Sequence, residues 1–182
     1  HRARSSAAGC TEQIVAWLLD EGRLGGFHFN DRRYADDDLT LGSIDPYQVF
    51  RIFHEIHAYG ADHGCPAKLD YMVDQSHTLK PKIPAMIQTV TWAQELFAKA
   101  CLVDLESLRR HQAAGRIIEA EQCLQRAFMT DVSSSLIAWR ESKGLPTDPL
   151  RSFQESGLLE ERAKERRARR QALGVQQNSA YA

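Results

Sequence analysis

Apolar positions in this chain fall into two short strand-like runs near its start, set among helical stripes that continue almost to its end. Between Thr11 and Glu21, Ile14, Trp17 and Leu18 share one helical face, Glu12 sits in the first turn, and Gly22 supplies a stop. Leu24 to Asn30 is short and apolar, the pattern of a strand. Asp31 to Ser43 is a polar, acidic loop. Asp45-Pro46 is a helix start, with Asp as N-cap and Pro at the first helical position, where its missing N–H has no intrahelical partner to lose. Val49, Ile52, Phe53 and Ile56 give that helix a buried stripe, and Gly60 to Pro66 ends it. Leu69 to Asp74 reads as a second strand.

Helix, strand, helix, strand in this order predicts parallel strands joined by a crossover helix, an α/β layout. Two strands cannot close a barrel or cover both faces of a sheet, so the visible α/β portion is incomplete. Beyond Asp74 the character changes. Helical signals run over about Ile83–Cys101, Leu105–Ala114, Arg116–Phe128 and Val132–Lys143. Leu145-Pro146-Thr147-Asp148-Pro149 breaks the run, and a charged helix near Leu158–Leu173 precedes a polar tail. Three regions follow: a patternless, basic, unstructured or displaced leader over 1–9, an α/β part over 10–103, and a helical extension over 104–182.

Composition narrows the class without naming a function. With 43% hydrophobic and 26% charged residues in 182, the chain can build a globular core. A net charge of −1 gives no global pull toward nucleic acid or an anionic membrane. No apolar run approaches the ~20 residues that span a bilayer. The first residues carry no apolar signal core, and the absence of an initial Met fits a processed, excised or truncated chain. Cys10, Cys65, Cys101 and Cys123 lie far apart without CxxC spacing, which predicts reduced thiols and a cytoplasmic location.

The chemistry is concentrated at the strand ends. The first strand delivers His28, the loop after it carries Asp36, Asp37 and Asp38, and the second strand delivers Asp74. In an extended loop, alternate side chains point the same way, so Asp36 and Asp38 can grip one cation while Asp37 faces away. Carboxylate and imidazole donors suit Mn²⁺, Zn²⁺, Co²⁺ or Mg²⁺ rather than a thiolate-seeking metal. Taken singly, Asp-Asp-Asp reads as a solvated loop, and His28 between Phe27 and Phe29 as a histidine at the rim of a core. Their conjunction points to half of a metal site, because active sites of parallel α/β barrels lie at the carboxyl ends of the strands.

Gly25-Gly26-Phe27-His28-Phe29-Asn30-Asp31, the stretch from Ala35 through Gln48, and Met72-Val73-Asp74-Gln75-Ser76-His77 closely resemble the L-rhamnose isomerases. These are two-metal aldose–ketose isomerases on a xylose-isomerase-like (β/α)8 barrel. The resemblance implies a C-terminal fragment of such a TIM barrel, its last two strand–helix units, followed by a helical extension that packs against neighbouring subunits of a homotetramer. It further implies that His28 and Asp74, ending the seventh and eighth strands, bind the metal that anchors the substrate, with Asp74 near the ring-opening end of the sugar. Asp36 and Asp38 hold the second, catalytic metal, whose water shuttles protons; Asp38 and Asp74 are the catalytic pair, and His28 and Asp74 contact the sugar. The implied cofactors are two divalent cations, Mn²⁺ foremost, and the implied partner is a small aldose, with no nucleic acid and no membrane.

The family also needs a Glu and an Asp at the fifth and sixth strand ends and a His after that Asp, and nothing before Thr11 matches them. A barrel typically takes ~250 residues. The chain alone is therefore expected to be inactive. The rival expectation is a non-catalytic truncated fragment that keeps only helical assembly contacts. A third reading, a nucleic-acid-binding tail at Arg162–Arg170, is weakened by the interleaved Glu165, the preceding Glu160 and Glu161 and the lack of stacking aromatics; a solvated helix face is expected there. His54-Glu55-Ile56-His57 lacks HExxH spacing and reads as exposed helix histidines.

Overall fold

A computed structural model describes residues 11–34, 38–75 and 80–174. Helix α1 (Thr11–Asp20), strand β1 (Gly26–Phe29), helix α2 (Pro46–His63) and strand β2 (Asp70–Val73) are followed by α3 (Lys82–Ala100). The remaining helices are α4 (Leu105–Ala113), α5 (Ile117–Met129), α6 (Ser133–Ser142), α7 (Pro149–Glu155) and α8 (Leu158–Ala172). The two strands pair in parallel, with Phe27 opposite Tyr71 and His28 opposite Met72. Parallel pairing demands a crossover, and α2 supplies it.

Helix α2 is the hub because each end is fixed and several of its faces find a partner. The Asp45 carboxylate accepts from the Gln48 N–H at 2.9 Å, and Pro46 opens the helix. Gly64, at φ +65°, caps the other end in the left-handed region, where a Cβ would be strained. Phe50 is fully buried, stacking near Tyr47 and meeting the edge of Phe128 from α5. Phe53 meets Phe29 from the sheet and Phe97 from α3. The expected stripe of Val49, Ile52, Phe53 and Ile56 is buried.

Helix α1 differs from expectation. Ile14 and Trp17 are about half exposed, and the face turned to α2 carries Glu12, Val15 and Leu19. Both stripes of this short helix are apolar, so periodicity alone does not choose between them. What chooses is Arg51 on α2, whose guanidinium lies 2.6 Å from the buried Glu12 carboxylate. A buried charge must find its partner, and that pair sets the rotation of α1.

Two further corrections concern α7 and His54. Residues 145–149, read as a break, contain the start of α7, where the Asp148 carboxylate accepts from the Arg151 N–H at 3.0 Å and Pro149 follows. This is the same Asp-Pro signal that opens α2. His54 is buried rather than exposed, on a face of α2 close to His57, Arg51 and Arg109. Burial, then those neighbouring charges, lowers its pKa to about 4. By contrast α8 buries no residue, as a solvated charged helix should. Cys65, Cys101 and Cys123 are free thiols; Cys10 lies outside the described residues. No helix among the described residues is long and apolar enough to cross a membrane.

Candidate metal centre

Alternation along β1 and β2 sorts the sheet into two chemically different faces. Phe27, Phe29 and Tyr71 form one stack, with ring centroids 5.2–6.2 Å apart, and Phe29 carries that stack onto α2. His28 and Met72 therefore point to the opposite face, where both are mostly exposed. Gly26 has no room for a side chain, since a Cβ there would collide with the Asp70 carbonyl. This close strand approach at the base of the ladder keeps the register at its upper end.

The ladder runs one residue past β2. The Asp74 N–H donates to the Phe29 carbonyl at 3.0 Å, so Asp74 shares the parity of Met72 and projects beside His28. His28 Nδ1 and Asp74 Oδ2 lie 3.5 Å apart, with both side chains more than half exposed. That separation is long for a charge-assisted hydrogen bond. It is close to the about 3.4 Å that separates two ligands on one tetrahedral ion with bonds of about 2.1 Å. An imidazole nitrogen and a carboxylate oxygen so placed fit a divalent cation as two of its ligands.

Asp38 is reached from a different direction. Its backbone takes φ +40°, a region that Asp and Asn tolerate better than most residues. The Asn30 side-chain amide donates to Asp38 Oδ1 at 2.9 Å. Asp38, Asn30 and His28 line one open cavity of about 530 Å³, whose lining also includes Asp45 and Gln48. Asp36, Asp37 and His77 lie outside the described residues. Among the described residues, no three His, Cys, Asp or Glu side chains gather as a complete metal cluster. His28 and Asp74 are thus brought together, and Asp38 faces the same cavity as His28 without joining them.

One site-building residue escapes a reading of the sequence. Asp31 pairs with Leu39 through two backbone hydrogen bonds, at 2.9 and 2.6 Å, and its carboxylate accepts from the N–H groups of Ile44 and Asp45. It thereby closes the loop between β1 and α2 at its base and holds Asp38 over the cavity. Asp31 next to Asn30 in the sequence reads equally well as a pocket residue or a turn, so its spacing carries no distinguishing signal.

The chain matches no family model. It is 38% identical over 160 residues to a probable sugar isomerase of Mesorhizobium japonicum, an alignment covering 86% of this chain and 36% of that protein. A probable sugar isomerase of Rhizobium meliloti is 36% identical over 160 residues, with the same coverage. The chain is thus similar over most of its length to sugar isomerases, and it spans about a third of the length of these curated relatives.

Proposed function

We propose that this chain is the metal-binding C-terminal part of a sugar isomerase that interconverts an aldose and its ketose, with L-rhamnose and L-rhamnulose as the substrate pair. The observation that carries the reading is the meeting of His28 and Asp74 at adjacent strand ends, in a chain whose relatives are named sugar isomerases. In this reading His28 and Asp74 hold one divalent cation, and Asp38 with Asp36 holds a second. A bound cation of this kind lowers the pKa of sugar hydroxyls that it touches and polarises the carbonyl. His28 and Asp74 anchor the sugar at the strand ends, and Asp38, whose carboxylate accepts from the Asn30 amide at 2.9 Å, acts with Asp74 as the catalytic pair. The reaction is redox-neutral: the C2 alcohol is oxidised as the C1 aldehyde is reduced.

The residues that complete such a site would come from the part of the relatives that this chain does not span. The helices beyond Ala100 are read as subunit contacts of a cytoplasmic homotetramer, a role supported by the exposed Ile117, Ile118 and Met129 on α5.

The test is an isomerisation assay on the full-length protein, following ketose formation from L-rhamnose. Turnover should need Mn²⁺ or a similar divalent ion, vanish on chelation and return when the metal is restored. No ketose from any aldose with any of Mn²⁺, Zn²⁺, Co²⁺ or Mg²⁺ would overturn the reading.

A further inference from the structure

One face of α3 touches the residue that follows Asp74 and the loop that follows Asp38. Ala85, Gln88, Thr89, Trp92 and Leu96 recur at helical spacing and so lie along a single face. At the N-terminal end of that face, the residue after Asp74 is pinned. Gln75 donates its side-chain amide to the Ala85 carbonyl at 3.1 Å, and its amide oxygen accepts from the Thr89 hydroxyl at 2.7 Å. Thr89 is 1% exposed. Its hydroxyl thus has a single strong acceptor in a site closed to water, and the pair holds Gln75 in one rotamer.

Further along the same face, the Asp38 loop is pinned. Trp92 Nε1 donates to the Gly42 carbonyl at 3.3 Å, and Lys80, just before the helix, donates to Thr40 Oγ1 at 3.0 Å and to Gln88 Oε1 at 3.3 Å. Gly42 sits at φ +71°, and a Cβ there would collide with the Trp92 indole. The loop backbone therefore approaches the helix as closely as a glycine allows, with Leu96 fully buried beneath it.

We infer that α3 is the positioning element of the metal centre, with Thr89 acting through Gln75 to set Asp74, and Trp92 acting through Gly42 to set Asp38. This inference rests on the proposed metal-dependent isomerase reading. In that reading neither Thr89 nor Trp92 is a ligand; each is a positioning residue, bonded to Gln75 and to Gly42 respectively. Groups that orient metal ligands are worth about 10–100-fold in metal affinity, which gives the scale of the effect.

The experiment measures Mn²⁺ affinity of the full-length protein directly, from the electron paramagnetic resonance signal of the free ion, beside turnover against Mn²⁺ concentration. Thr89→Val keeps the shape and removes the hydroxyl; Thr89→Ser keeps the hydroxyl. Thr89→Val should weaken Mn²⁺ binding about tenfold and shift the turnover curve with it, while Thr89→Ser stays within about twofold of the parent. Trp92→Phe should produce the same kind of shift. If Thr89→Val fails to fold, Gln75→Met removes the same pair from the less buried side and carries the same expectation. Unchanged Mn²⁺ affinity in a folded Thr89→Val or Gln75→Met would overturn the inference. A parent protein that binds no Mn²⁺ and forms no ketose would overturn instead the reading on which the inference rests.

Discussion

Replacing Asp74 with alanine is expected to lower isomerase turnover of the full-length protein by more than about 100-fold and to leave the unfolding of this chain unchanged. The activity side follows from position. Groups that merely orient a metal ligand are worth about 10–100-fold, and Asp74 is read as the ligand itself, 3.5 Å from His28. The stability side follows from exposure. The Asp74 side chain is 59% exposed, and substitutions at such sites usually stay within about 0.5 kcal/mol. Circular dichroism and urea melts separate the two effects. At Asp38 the matching variant is Asp38→Asn rather than alanine, because asparagine tolerates φ +40° and adds no cavity. Near-normal turnover with L-rhamnose in both variants would remove these carboxylates from the mechanism.

His54 should make stability fall as the medium becomes acidic. Its folded-state pKa is lowered to about 4 from an ordinary value of 6.5, because burial disfavours the charged ring and His57, Arg109 and Arg51 add positive charge nearby. The unfolded chain therefore binds a proton that the native state does not, between about pH 6.5 and pH 4. Stability from this group is fully present above that window, is lost as pH falls through it, and changes little further below it. The full loss amounts to about 3 kcal/mol. Glu55 opposes it, since burial raises its carboxyl pKa and favours the protonated native form as pH falls. A comparison with His54→Gln isolates the histidine: between pH 7 and pH 4.5 the parent should lose about 2 kcal/mol more than the variant. Equal losses would show that His54 takes up its proton as readily in the native state as in the unfolded chain, so that burial does not lower its pKa.

What could be read from the chain divides according to the range of the interaction responsible. The two strands, the order of elements and the Asp45-Pro46 start are local signals, and each appears within a residue or two of where it is expected. Asp148-Pro149 is equally local, yet two prolines within four residues mimic a linker and conceal the helix behind them. The rotation of α1 was not legible, because it depends on Arg51 arriving at Glu12 from another helix. The burial of His54 is hidden for the same kind of reason, since it depends on packing beyond α2, where Arg109 of α4 comes near. The proximity of His28 and Asp74 is legible because strand alternation and parallel pairing bring residues at matching ends together. The supports of Asp38 were not, since Asn30, Asp31, Lys80 and Trp92 are drawn from three separated segments.

If His28 and Asp74 share one cation, anomalous X-ray scattering from crystals of the full-length protein grown with Mn²⁺ will locate it. An anomalous peak is expected within bonding distance of both the His28 ring nitrogen and the Asp74 carboxylate. A catalytically active protein whose Mn²⁺ peaks all lie away from this pair would contradict it.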